Sequence, residues 1–136
     1  MNLVSSNGSI NNVQIYDSLH DALDIDFSKI KLNNIKINNA GNDCLDLSFG
    51  DYFFSNALLI KCFDKAISSG EKTKLNINYS LIKNSSLGLA VKDESIVTIE
   101  KKIDIVDTKE CYAEYRKKQE FGKGNLYNKE RINCNS

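Results

Sequence analysis

The stretch Cys44-Leu45-Asp46-Leu47 is one copy of a motif that returns every 22 residues. The shared pattern is a small residue, an apolar residue, a small or acidic residue and, in most copies, a second apolar residue. The other copies are Ala22-Leu23-Asp24-Ile25, Ala66-Ile67-Ser68-Ser69 and Gly88-Leu89-Ala90-Val91, and Tyr112 follows one residue late. Repeats of this length are typical of stacked supersecondary units that bury a continuous core.

The segments between these copies predict two further strands in every repeat. Apolar and polar residues alternate within the motif, which indicates a strand with one buried face. Apolar residues then recur at 30–32, 52–54, 74–77 and 96–99 for a second strand, and at 35–37, 58–60, 80–82 and 103–105 for a third. Three strands leave no room for helices, and the spacing of leucine-rich repeats is missing. The sequence therefore predicts an all-β, right-handed parallel β-helix, a solenoid of about five coils.

Polar residues that follow the third strand predict a corner ladder. One occurs in each coil, and they are Asp17, Asn39, Cys62, Asn84 and Asp107. Side chains stacked at the interstrand spacing of ~4.8 Å can hydrogen-bond along the stack and satisfy a tight turn. The cysteine in the middle makes this predicted ladder imperfect.

The chain is interpreted as one domain over 1–136. Residues 1–9 are expected to be a polar lead-in, 10–115 the coils, and 116–136 an irregular, charged C-terminal cap. Solenoid ends need caps, or they expose strand edges. We therefore expect either that the chain is the C-terminal part of a longer protein or that its open N-terminal end associates with another chain.

Three stretches carry a resemblance to a known family. Asn42-Asp43-Cys44-Leu45-Asp46 is similar to the Asn-Asp-Gly-Ile-Asp turn and strand of β-helix proteins, and residues 64–72 and 88–93 add to the likeness. Across residues 9 to 120 the chain resembles the right-handed parallel β-helix (pectate-lyase-like) superfamily, in particular repeat regions of uncharacterised bacterial surface or envelope proteins. That superfamily contains lyases, hydrolases, epimerases and structural spikes, so the fold leaves the activity open.

Two aspartates are the leading candidates for a functional site. Leu23 and Ile25 are expected to point inward, so Asp24 points outward, and Asp46 follows on the next coil about 5 Å away. Carboxylates this close raise a pKa or attract a cation. They would suit retaining glycoside hydrolysis or a shared Ca²⁺, which the resemblance to pectate lyases also implies. The alternative is an ordinary solvated face. No cofactor is predicted, with Ca²⁺ as the open option.

Further candidate ligand-binding residues continue along the same face. They are Lys65, Ser68, Glu71, Lys92, Tyr115 and Lys117. A strip that changes from acidic to basic could bind a charged sugar or simply form cross-strand ion pairs. Lys92, Tyr115 and Lys117 are the best candidates for contacts with an anionic sugar.

The four cysteines fit no zinc spacing. Cys44 and Cys111 fall in one column, three coils and ~14 Å apart at the rung spacing, which is too far for a disulfide. Cys62 falls on another corner, and Cys134 lies near the C-terminus. The sequence therefore predicts free thiols, which suit a reducing compartment.

Composition excludes several classes of function. Lysine plus arginine and aspartate plus glutamate both number 18, which argues against nucleic-acid binding. No apolar run is long enough for a membrane span, and no signal peptide is visible. The chain is then expected at the cell surface if it is a fragment of an exported protein, and in the cytoplasm otherwise.

The sequence favours a carbohydrate-binding or carbohydrate-processing β-helix module whose partner is an extended glycan. Whether it is an enzyme stays open, because no catalytic residue set is apparent. The alternative is a structural or assembly segment of a larger surface protein that has no catalytic site.

Overall fold

Strands dominate the computed structural model, which describes residues 1–135. They are β1 (Asn2–Val4), β2 (Asn7–Ser18), β3 (Leu23–Asp26), β4 (Lys29–Ala40), β5 (Leu45–Ser48), β6 (Asp51–Phe54), β7 (Ala57–Cys62), β8 (Lys65–Ser69), β9 (Lys74–Lys83), β10 (Leu87–Lys92), β11 (Ile96–Val106), β12 (Glu110–Tyr115), β13 (Asn125–Tyr127) and β14 (Ile132–Asn135). A short 3-10 turn covers Lys129–Arg131. Over these 135 residues no helix has the length and hydropathy that crossing a membrane requires.

The strands stack in two parallel sheets. Sheet A has the order β1-β3-β5-β8-β10-β12, and sheet B has the order β13-β11-β9-β6-β4-β2, with β7 and β14 paired alongside. Every pairing joins one coil to the next in parallel, so the chain winds as a solenoid of about five turns. The predicted parallel β-solenoid with coils of about 22 residues is confirmed.

The repeat noticed in the sequence is the register of sheet A. Leu23 pairs with Leu45, Leu45 with Ile67, Ile67 with Leu89, and Leu89 with Tyr112. Tyr112 comes one residue late because sheet B contains an irregularity between Ile99 and Lys102, where the fifth coil has an extra residue. The offset between β10 and β12 is therefore 23 residues, and Tyr112, which pairs with Leu89, is 37% exposed at the end of the column.

The second and third strands of a coil are separate in the third coil, as β6 and β7, and in the last coil, as β13 and β14. In the other coils they join into one bent strand, such as β4. The bend is made at Asn12 in β2 and at Asn34 in β4, both with φ of 57°. Asparagine tolerates this left-handed conformation better than most residues. The stacked corner is held by side-chain amides, with Asn34 Nδ2 donating to Asn12 Oδ1 at 3.2 Å.

The core is a stack of aliphatic side chains between the two sheets, with two aromatic rings. Leu23, Leu45 and Ile67 from sheet A are fully buried, as are Tyr52 and Phe54 from sheet B. The Tyr52 hydroxyl donates to the backbone oxygen of Ser48 at 3.0 Å. A buried polar atom is thereby satisfied, as a buried tyrosine requires.

The corner ladder after the third strand differs from the prediction at one position. The residues in this column have positive φ in all five coils, and they are Asp17, Asn39, Lys61, Asn84 and Asp107. Cys62 is not a member, since it pairs with Ala40 and is buried. The predicted amide stack exists at its start, where Asn39 Nδ2 donates to Asp17 Oδ1 at 2.8 Å.

The prediction of free thiols is wrong, because all four cysteines form disulfides. Cys44 bonds to Cys62 and Cys111 bonds to Cys134, with Cα–Cα distances of 5.4 and 6.1 Å. The sequence argument compared cysteines within one column. Each bond instead joins the start of a sheet A strand to the third strand of the same coil, Cys44 before β5 to Cys62 in β7 and Cys111 in β12 to Cys134 in β14. Disulfides persist in oxidising compartments, so the argument for a reducing compartment no longer holds.

The two ends of the solenoid are built differently. At the N-terminus, part of the predicted lead-in is strand, since β1 pairs with β3 and β2 begins at Asn7. At the C-terminus, the predicted cap 116–136 contains β13 and β14, which both pair with β11; Ser136 lies outside the described residues. Glu114 helps to close this end because its carboxylate accepts the Leu126 N–H at 2.8 Å and pairs with Lys129.

Removing the Cys44–Cys62 disulfide should destabilise the solenoid without changing its fold. The Cys44–Cys62 bond closes a loop with a sequence separation of 18, for which chain entropy corresponds to about 3 kcal/mol. We expect Cys44→Ala with Cys62→Ala to lower the free energy of unfolding in urea by about that amount. Far-UV circular dichroism checks that the folded spectrum is retained. Equal urea midpoints for the variant and the parent would contradict this expectation.

Candidate functional site

The outward column predicted on sheet A is present. Asp24 pairs in register with Asp46, and Asp46 pairs with Ser68, so these side chains lie on successive rungs of one face. Both aspartates are partly buried rather than fully solvated. The repeating register places the two carboxylates next to each other on adjacent strands, with no basic side chain between them.

Two more aspartates come from the turn that precedes each sheet A strand. Asp21 Oδ1 accepts the backbone N–H of Asp43 at 3.0 Å and the Asn42 amide at 2.8 Å. Asp43 Oδ1 accepts the backbone N–H of Lys65 at 3.1 Å. These turn aspartates hold successive coils together, and with Asp24 and Asp46 they form what we call the acidic cluster.

Three members of the acidic cluster are close enough to share one cation. One carboxylate oxygen from each of Asp21, Asp24 and Asp46 lies within 4.8 Å of the other two. Ca²⁺ binds oxygen ligands at about 2.3–2.6 Å, so oxygens separated by this much can contact the same ion. The donor set, which is oxygen only, also fits a hard cation.

The acidic cluster disfavours full ionisation. Burial raises the pKa of Asp46 to about 7, helped by its hydrogen bond with Asp21 and by the charges of Asp21, Asp43 and Asp24. Burial likewise raises the pKa of Asp43 to about 6, although Lys65 acts in the opposite direction. The pKa of Asp24 is raised by burial and then by the charges of Asp26 and Asp21. The cluster therefore carries negative charge that the protein only partly compensates.

Lysines extend the face toward the C-terminal coils. The Lys65 ammonium forms an ion pair with Asp64 at 2.6 Å. Burial pushes the pKa of Lys65 down, but the Asp64 hydrogen bond and the charges of Asp43 and Asp64 outweigh it and raise the pKa. Lys92 is 8% exposed, and burial lowers its pKa, as do the charges of Lys117 and Lys65. The predicted change from acidic to basic is thus present on this face.

The remaining predicted site residues differ in their burial and in their partners. Ser68 is fully buried, and its hydroxyl has no hydrogen-bond partner among the described residues, so it adds nothing to the exposed surface. Glu71 is held in an ion pair with Lys118 at 2.9 Å. Tyr115 is partly buried, and burial raises its pKa. The backbone N–H of Lys117 donates to buried Asp93 at 2.7 Å, which ties the C-terminal segment to this face.

An aromatic stack at the corner after the sheet A strands was not predicted. The rings of Phe27 and Phe49 are nearly parallel, with centroids 4.7 Å apart, and Phe121 meets Phe49 edge-on at 6.2 Å. Phe27 is 59% exposed. Both stacked residues have positive φ, 51° and 46°, which is rare for a bulky side chain and is often retained at functional sites. Because Phe27 directly follows Asp26 in the chain, the stack borders the acidic face.

Comparison of the chain with protein-family models, with curated proteins and with solved structures gives no match.

Neutralising Asp46 should stabilise the protein at neutral pH. A carboxyl whose pKa is raised on folding binds its proton more tightly in the folded state, so stability falls as pH rises from about 4 toward about 7. We expect Asp46→Asn to raise the free energy of unfolding at pH 7.5 by on the order of 1 kcal/mol and to flatten this pH dependence. Thermal melts from pH 4.5 to 8 measure both effects.

Asp51→Asn is the matched control, because Asp51 is an exposed aspartate of sheet B. It should leave the pH dependence as it is in the parent. A loss of stability at pH 7.5 in Asp46→Asn would show that the Asp46 charge stabilises the fold, contrary to this reasoning.

Proposed function

We propose that the outer face of sheet A is a carbohydrate-binding surface for an extended glycan, within a carbohydrate-binding or carbohydrate-processing module. The observation that carries the proposal is that one coil of sheet A holds both Asp24 of the acidic cluster and, three residues later in the chain, the exposed ring of Phe27. Aromatic rings present an apolar surface that suits the C–H face of a pyranose, and carboxylates accept hydrogen bonds from sugar hydroxyls. These are the two kinds of contact that sugar recognition needs.

The shape of the face favours a long ligand. Asp24 and Asp46 lie on adjacent rungs at the strand spacing of ~4.8 Å, and lysines follow further along the face, so a chain-like ligand can contact more than one rung. A cavity of about 430 Å³ lies away from this face, lined by Asn39, Phe63 and Lys109 among others. The resemblance to the pectate-lyase-like superfamily supports the same choice of ligand.

Ca²⁺ is part of the proposal, with Asp21, Asp24 and Asp46 as its ligands. When bound, the ion would neutralise the acidic cluster and could bridge it to an acidic sugar. The protein side chains provide the oxygen donors, while Phe27 positions a sugar ring alongside.

The two disulfides support a place of action outside the reducing cytoplasm. We therefore propose an oxidising compartment, such as the cell surface, where extended glycans are also found. Both bonds are between residues that the fold brings together across one corner, at Cα–Cα distances of 5.4 and 6.1 Å.

Glycan binding predicts that Asp24→Ala with Asp46→Ala abolishes retention on polysaccharide affinity gels while the far-UV spectrum is preserved. Phe27→Ala should weaken retention by about five-fold, since one stacking contact is typically worth about 1 kcal/mol. Gels containing acidic or neutral polysaccharides measure retention, and a reducing-end assay on the same polysaccharides tests for processing.

Phe63→Ala is the control for the aromatic residue, because Phe63 is 77% exposed at a different corner. It should leave retention unchanged. Blank gels for the parent protein across all polysaccharides, or equal losses in Phe27→Ala and Phe63→Ala, would contradict the proposed binding face.

Calcium binding predicts a specific thermal shift. At a hundred-fold excess over its dissociation constant, a ligand stabilises the folded state by about 2.7 kcal/mol, so CaCl₂ should raise the melting temperature of the parent protein. Asp24→Asn with Asp46→Asn should abolish the shift. NaCl at equal ionic strength is the control, and equal effects of both salts on the parent would show that only charge screening operates.

A further inference from the structure

The outer sides of β1 and β2, which we call the N-terminal edge, end both sheets. No strand within residues 1–135 pairs with this side of either strand. β2 alone has 12 residues, about twice the usual strand length. A long row of unpaired backbone N–H and C=O groups is a template for pairing with another chain.

The N-terminal edge lacks the charges that normally protect such a strand. Asp17 is the one charged side chain between Asn2 and Ser18. The last 26 described residues, 110–135, have ten charged side chains, which are Glu110, Glu114, Arg116, Lys117, Lys118, Glu120, Lys123, Lys129, Glu130 and Arg131. Proteins usually place lysines or other charges on exposed edges to prevent association. Within β12 to β14 only Glu110 and Glu114 are charged, and the other eight charges lie in the segments between these strands, so the C-terminal end is charged mainly through its connecting segments.

Apolar side chains are also left partly uncovered there. Ile10, Val13 and Ile15 pack against the core but are only partly buried. Val4 is 54% exposed. The residues that pair with Ile10, Val13 and Ile15 in the next coil are almost completely buried; they are Leu32, Ile35 and Ile37. One more layer of strands would bury the first coil in the same way.

The amide ladders provide a polar contact at the middle of this edge. Asn33 donates to Asn11 at 2.8 Å, and Asn34 donates to Asn12 at 3.2 Å. In both bonds the first-coil side chain is the acceptor, so its own amide N–H groups are directed to no later coil. A primary amide is both donor and acceptor, so Asn11 and Asn12 can pair with the same residues of a second copy.

We propose that the N-terminal edge is an interface between two copies of this chain, with β2 of one copy antiparallel to β2 of the other. A two-fold axis would pass near the corner made by Asn11 and Asn12, which lies in the middle of β2. Head-to-tail stacking is disfavoured because the opposite end is charged and is covered by the segment that Glu114 anchors at Leu126. A two-fold contact needs only the one uncharged edge, and it closes on itself.

Ile10→Lys and Ile132→Lys form a matched pair that tests the interface. Both residues are partly buried isoleucines packed against the core, one at each end of the solenoid. By sedimentation equilibrium, we expect the parent protein and Ile132→Lys to dimerise equally. Ile10→Lys should raise the dimer dissociation constant by at least about ten-fold, because it places two like charges in the contact. Circular dichroism checks that each variant is folded.

Hydrogen exchange of the parent protein gives a second readout that needs no variant. Amides in 7–18 should exchange more slowly at a concentration where the dimer forms than at one where it dissociates, while amides in 125–135 should not change. A strict monomer at all concentrations would overturn the proposal. So would open-ended polymers, or a dimer that Ile132→Lys disrupts and Ile10→Lys leaves intact.

Discussion

The hydrogen bonds between each coil and the next, in one nearly constant register, are the constraint on which this structure depends. Because Leu23, Leu45, Ile67 and Leu89 are paired across sheet A, one short motif determines a continuous core. The same pairing fixes what lies outside the core. An aspartate at a given position of the motif must lie beside the equivalent residue of the next coil, whatever its charge.

The acidic cluster is a direct result of that stacking. Asp24 and Asp46 are adjacent because they occupy the same position of the repeat, and Asp21 and Asp43 are adjacent for the same reason. The turn aspartates have a structural role, since each accepts a backbone N–H of the following coil. Among residues 1–135 no backbone N–H donates to the Asp24 carboxylate, and the pKa values of both Asp24 and Asp46 are raised mainly by burial. Carboxylates that hold the coils together therefore lie next to carboxylates that do not. A cationic ligand bound here would reduce the repulsion between their negative charges.

The fold and the acidic pair could be predicted from the sequence because both follow from a fixed period. The disulfides could not, since Cys44 and Cys62 lie in different columns and meet only through the shape of one corner. The burial of Ser68 was missed for a related reason. Strand alternation predicts the direction of a side chain but not whether its neighbours cover it. The Phe27–Phe49 stack depends on positive φ at two corner residues, and nothing in the pattern of apolar residues indicates that conformation for phenylalanine.

The positions of the two covalent bonds make the coils unequal. One joins Cys44 to Cys62 within the third coil and the other joins Cys111 to Cys134 within the last coil, so the first two coils have no crosslink. In a solenoid each repeat contacts only its neighbours, and local opening begins where the fewest contacts must be broken. In the monomer, thermal opening should therefore have a direction, beginning at the first residues of the chain and proceeding to the first disulfide. Proteases that attack opened backbone would then trim this protein from one end.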